Sequence, residues 1–256
     1  MINLSGMLRL VFFVILFGLA NHFSALQAAP RHVVFIIAED EYKASESLPK
    51  FAQEQLTKLP GFQSTFLKQD RQNKHNIPGM DILREADLVV LYVRRRSLPN
   101  AQMQRFKNYL DQGKPLLALR TSSHAWDTRN KGLKNQVEWK TFDPDVLGGN
   151  YHGHHGKGTE TTISIIPGMS SHPILSGVEA DRLIGKGSLY KASPLKPSAQ
   201  VILTGTIPDQ PPEPILWFHQ YGKSQVVYTS LGHVGDFAQP AFNRLLLNTI
   251  RYLTKD

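Results

Sequence analysis

Asp87-Leu88-Val89-Val90-Leu91-Tyr92-Val93-Arg94-Arg95-Arg96, a segment from Asn100 to Gln112, and then Gly113-Lys114-Pro115-Leu116-Leu117-Ala118-Leu119-Arg120-Thr121-Ser122-Ser123-His124 make up the stretch that decides the fold. Its two apolar runs contain no polar residue, as a strand buried on both faces requires. Between them the chain reads as a helix closed by Gly113, so the stretch predicts a parallel strand–helix–strand unit. Both runs end abruptly in polar residues, three arginines after the first and Arg-Thr-Ser-Ser-His after the second.

The pattern repeats outward. Upstream, His32 to Ala38 is another apolar run and ends in Glu39-Asp40-Glu41-Tyr42. Ser45 to Lys58 has helical spacing at Leu48, Phe51, Leu56 and Leu59 and stops at Pro60-Gly61; Gln63 to Leu67 is a further strand, followed by a polar linker with Asn76-Ile77-Pro78-Gly79. Downstream, Thr161–Ile166, Val201–Thr204, Ile215–Phe218 and Gln225–Thr229 read as strands, and Pro240 to Leu253 as an amphipathic helix. This alternation predicts an α/β protein with a doubly wound, mainly parallel sheet and helices on both faces. Ligands of such sheets collect at the carboxyl ends of the strands, where strand order reverses.

At 256 residues, with 41% hydrophobic and 20% charged residues, the chain suits one folded domain, read here as residues 31–255. Arg9 precedes an apolar run from Leu10 to Ala20 that is too short to span a bilayer, and small residues around Ala28 and Ala29 suit a signal peptidase. Residues 1–28 therefore read as a cleaved signal peptide, with an uncleaved anchor as the alternative. The mature protein is expected in the periplasm or secreted, without stable membrane insertion. The absence of cysteine excludes disulfides and a thiol nucleophile. A net charge of +8 suggests nucleic acid, but the basic residues are scattered and no nucleic-acid motif is present. No nucleotide cofactor is expected.

From Ala125 to Thr159 the periodicity is lost, which predicts an excursion capping the rim. It contains Gly148-Gly149-Asn150-Tyr151-His152-Gly153-His154-His155. If this segment is extended, His152 and His154 share one face, about 7 Å apart, and His155 takes the other. His152 and His154, with His233 and either Asp236 or His124, would make a nitrogen-rich set for zinc or a similar divalent ion. The metal-free option is acid–base chemistry by His124 and His233, with Asp236 orienting His233 and Glu39 or Glu41 as carboxylate partner, Glu41 being the preferred one. Glu39, Tyr42, the run Arg94 to Arg96, of which only one or two can face the rim, with Arg94 and Arg96 favoured, and Arg120 would line the pocket, and Trp126, Tyr151 and Tyr190 would meet a substrate ring. A bland solvated loop and structural caps remain the competing readings of the histidines and Asp236. Ser122 or Ser123 as nucleophile lacks the glycines of a sharp nucleophile turn.

The set Glu39-Asp40-Glu41-Tyr42, Gly113-Lys114-Pro115, Leu119 to Trp126, Gly148 to His154, His172-Pro173-Ile174 and Leu231-Gly232-His233 resembles the ThuA-like (trehalose utilisation) family, in order along the chain. The resemblance implies a flavodoxin-like sheet of the class I glutamine amidotransferase-like superfamily, without glutamine hydrolysis, since the cysteine is missing. It implies a role in carbohydrate metabolism on a sugar or keto-glycoside, as a hydrolase, lyase or isomerase. One departure stands out: many members carry Asp-Glu-x-Tyr where this chain has Gly187-Ser188-Leu189-Tyr190. The contrasting expectation is thus a carbohydrate-binding or interaction module that has lost the chemistry. Sequence leaves the oligomeric state open.

Overall fold

The structure, a computed structural model, describes residues 29–156 and 158–255; the expected signal peptide, 1–28, lies outside them. Strand β1 (Arg31–Ala38) sends Val33, Phe35 and Ile37 into one hydrophobic core and Val34, Ile36 and Ala38 into a second on the opposite face. Successive side chains of a pleated strand point to opposite sides, so a run without polar residues demands cover on both. Helices α1 (Ala44–Phe51) and α3 (Pro240–Thr254) cover the first face, and α2 (Asn100–Asp111) the second. After β2 (Phe62–Lys68), strands β3 (Leu88–Val93) and β4 (Leu116–Leu119) have every residue buried.

The remaining strands of this sheet are β5 (Thr161–Ile165), β6 (Ile184–Gly185), β7 (Gln200–Thr206), β8 (Glu213–Tyr221) and β9 (Ser224–Thr229). Their order is β2-β1-β3-β4-β9-β8-β7-β5-β6. The first five are parallel, in the flavodoxin-like arrangement expected from the sequence. Beyond β9 the sheet continues antiparallel. Connection length explains the change: only Gly222 and Lys223 separate β8 from β9, too few for a crossover helix.

One helix departs from its sequence reading. The segment read as a single helix from Ser45 is α-helical to Phe51 and then widens into a π turn over Ala52–Leu56. Pro49 within α1 has no N–H, which leaves the carbonyl of Ser45 without its helical donor. Lys68 Nζ, at the end of β2, donates to that carbonyl at 3.0 Å.

Strand order reverses between β1 and β3, where the chain leaves β1 for β2 on one side and β3 on the other. The segments following β1, β3, β4 and β9 therefore meet at one rim. Among the described residues no helix is long and apolar enough to cross a membrane.

Candidate active site

Two buried carboxylates hold the rim's backbone. Glu39, directly after β1, accepts from the N–H groups of Glu41 and Tyr42 at 2.6 Å each and of Ala44 at 2.7 Å. Asp236, fully buried, accepts from Gly232 at 2.7 Å, His233 at 2.9 Å and Lys186 at 2.8 Å. Three backbone donors satisfy a carboxylate and fix the chain around it. Both acids are thus used in building the turns; Asp236 binds the backbone of His233 rather than its ring.

Between these brackets lies Arg120, at the sharp turn leaving β4, with φ +44°. Tyr228 Oη, donating to the Arg120 carbonyl at 2.7 Å, and Ser122 Oγ, donating to Leu91 O at 2.9 Å, hold this turn. The guanidinium is buried between two aromatic rings, 4.4 Å from the Tyr42 centroid and 4.9 Å from that of Tyr190, and donates to Ser230 O at 2.8 Å. Among the described residues no carboxylate pairs with it. Gly187 closes the cage: a Cβ there would overlap the guanidinium at Cζ, Nη1 and Nη2. Of the departure noted in the sequence, Gly187-Ser188 in place of two acids, the glycine thus has a steric reason, and nothing in the structure explains the serine. His233 stands at the outer edge of the cage, its ring edge-on to Tyr42 at 5.5 Å, with Nδ1 accepting from Gly235 N at 3.1 Å. Burial and then the Arg120 charge hold its pKa below the usual imidazole value, against Asp236.

On the far side of Tyr190 the row continues into a cleft of about 270 Å³. Tyr151 lies 4.7 Å from Tyr190 and stacks on His124 at 4.5 Å, with ring planes 23° apart. The cleft is lined by Arg95 after β3, Ser123 and His124 after β4, and the excursion residues Asp127, Arg129, Lys140, Asp143, Asn150, Tyr151 and His152. The histidine loop is an ordered wall. His154–His155 pairs antiparallel with Leu189–Tyr190, and His152 N donates to Lys191 O at 3.1 Å. As the alternation predicts, His152 and His154 are exposed and His155 is buried, 3.4 Å from Glu213.

Asp143 is the unusual group in this cleft. It is buried, one carboxyl oxygen accepts from Tyr151 N at 2.6 Å, and the other, Oδ1, has no partner. Gly149 makes room for it, since a Cβ there would lie 2.5 Å from Oδ1. Burial outweighs the single hydrogen bond and pushes its pKa up to about 7. His124 is shifted the other way: burial, then Arg95, Arg94, Arg129 and Arg120, hold its pKa well below the ordinary value. At neutral pH the cleft therefore contains a neutral imidazole and a carboxyl group close to its titration midpoint, a combination suited to general acid–base catalysis.

A larger cleft of about 490 Å³ opens beyond β1 and β2, but both of its aspartates have partners. Asp40 is bonded to Arg96 at 2.8 Å, Lys74 at 3.0 Å and Gln69 at 2.6 Å, and Asp70 caps its own turn. Among the described residues no buried side-chain oxygen or nitrogen of that cleft lacks a partner as Asp143 Oδ1 does.

Several expected site residues lie elsewhere. Trp126, expected against a substrate ring, is fully buried among Phe106 and Phe142, because its apolar area is worth more in the core. Glu41, paired with Arg94 at 2.6 Å, and His233, at the edge of the Arg120 cage, do not line the cleft. Arg96 turns back to Asp40 and Gln69, so of the three arginines it is Arg95, with φ +52°, that enters the cleft. Among the described residues no three His, Asp or Glu side chains come close enough to share a metal ion, so the expected set of His152, His154, His233 and either Asp236 or His124 is not assembled. Of the cleft-lining residues, sequence reasoning missed Asp143 and Arg129, and it named Arg95 only within the run of three arginines. The one signal for Asp143 was the Gly148-Gly149 pair following Asp143-Pro144-Asp145.

A family model described as ThuA, trehalose utilisation, matches residues 32–253. Among solved structures, a ThuA-like protein from Bacteroides uniformis is similar with a TM-score of 0.63 at 16% identity, covering 88% of this chain and 92% of the other. One from Parabacteroides merdae gives 0.60 at 18% identity, covering 88% and 90%. A β-galactosidase from Rahnella sp. R3 gives 0.57 at 12% identity over 88% of this chain and 31% of its own. No curated protein matches the chain. At these identities the structural likenesses show a shared fold.

Proposed function

The chain belongs to the ThuA family, and from that premise we propose that it is an exported enzyme acting on a sugar or keto-glycoside bound in the cleft between His124 and Asp143. The observation that carries this reading is Asp143, a buried carboxyl group with an unpartnered oxygen and a pKa near neutrality in an open cleft. Holding a carboxyl group in that state costs stability, and such costs concentrate where chemistry is done.

In this reading Asp143 takes a proton from a hydroxyl, or from carbon beside a keto group, and returns it to the departing or rearranging oxygen. Such transfer contributes roughly 10²–10⁴-fold to rate. His124, neutral and supported by Ser123 at 3.1 Å, hydrogen-bonds the substrate, and Tyr151 provides the face for its ring. A metal-assisted route would begin at His152, the exposed imidazole of the cleft, and elemental analysis before and after chelation tests it.

The second reading is a carbohydrate-binding module, favoured by the Arg120 guanidinium occupying the place beside Gly187 where relatives are expected to carry an acid. Incubation with glycosides and their keto forms, followed by NMR, separates the two. Turnover that falls by about 100-fold in Asp143→Asn supports the enzyme. A bound ligand that is never changed supports the module.

A further inference from the structure

The cleft is chemically two-sided. Arg95 is tied to one wall by its N–H, which donates to His124 O at 3.1 Å, and its guanidinium donates to Asp127 O at 3.0 Å. Arg129 stands beside it, its backbone N–H held by Asp127 Oδ1 at 2.8 Å. Its guanidinium has no hydrogen-bond or ion-pair partner among the described residues. Asp127 Oδ2, at 3.7 Å from Arg95, offsets only part of this positive charge. Both arginines adopt left-handed backbone, φ +52° and +56°, which an L side chain enters at a cost and which turns them to this wall. The cleft is also lined by Asp143, which is held by Tyr151 N at 2.6 Å and makes no ion pair with either arginine.

A neutral sugar would use the Asp143 side and leave two guanidinium groups facing its hydroxyls. An anion suits that wall better, because a planar guanidinium matches a carboxylate or phosphate with paired, charge-assisted hydrogen bonds. The volume, about 270 Å³, lies at the small end of ligand sites and suits one sugar unit.

We propose that the ligand is a single sugar unit bearing one anionic group, a carboxylate or a phosphate ester, with the anion held by Arg129 and Arg95 and its hydroxyl or keto end at Asp143. This rests on the cleft being the substrate site. The test is ligand-observed NMR titration of the full mature protein with glucose, glucuronate and glucose 6-phosphate at low salt. Whichever anionic sugar fits binds on the order of tenfold or more tighter than glucose, and which of the two does so separates carboxylate from phosphate. Arg129→Gln, in an exposed position without a side-chain partner, removes that preference; Asp143→Asn retains it. Equal binding of glucose and both anions, unaffected by Arg129→Gln, overturns the anionic ligand and leaves the site in place. Absence of binding by all three, or binding indifferent to both His124→Ala and Asp143→Asn, contradicts the site itself.

Discussion

At the scale of single residues the rim is governed by who satisfies whom. Glu39 and Asp236 are saturated by backbone donors, Arg120 is enclosed by tyrosine rings, and Asp143 is left with one oxygen bare. The same burial that locks the first three makes the fourth reactive, because no charge or second donor offsets its desolvation. The sign of the resulting pH dependence is fixed. The folded-state pKa of about 7 lies above the unfolded value, so the fold binds the proton more tightly. The associated stability is fully present below about pH 4 and is lost as pH rises through 7. Asparagine at this position accepts from Tyr151 N without titrating. Urea denaturation is therefore expected to show Asp143→Asn gaining on the wild type between pH 4 and pH 8, by as much as about 4 kcal/mol. A constant difference across that range would mean that Asp143 is ionised throughout.

At the scale of elements, the rim depends on the junctions where strands hand over to the next segment. Asp236 ties the segment after β9 to Lys186, following β6 across the sheet, with three bonds to one buried carboxylate. Asp236→Asn places an amide donor against backbone donors, and the expected loss of stability in urea is roughly 3 kcal/mol. A loss below about 0.5 kcal/mol would show that the bracket is dispensable. The strands and helices themselves were legible in the sequence because apolar runs and helical spacing report burial directly. What escaped was the π turn after α1 and the antiparallel half of the sheet. Pro49 inside a helical pattern signals a defect without saying how the chain repairs it, and strand patterns carry no direction.

For the whole molecule, a doubly wound sheet brings segments distant in sequence to one rim, and an irregular excursion walls that rim into a cleft. His124, Tyr151 and His152, which line the cleft, were legible as candidates because unusual residue types cluster at strand ends and beside glycines. Asp143 was not, since an aspartate before a proline reads as a turn, and its burial follows from packing between β8 and the excursion, where Trp217 Nε1 donates to Leu147 O at 2.7 Å. Arg95 was hidden among three arginines that only backbone geometry tells apart. All of the proposed chemistry depends on Asp143 being half protonated at neutral pH. A carbon-13 NMR titration of its side-chain carboxyl, assigned against Asp143→Asn, is predicted to give a midpoint at about 7. A midpoint near 4, that of an ordinary aspartate, would contradict the acid–base role and leave the cleft as a binding site.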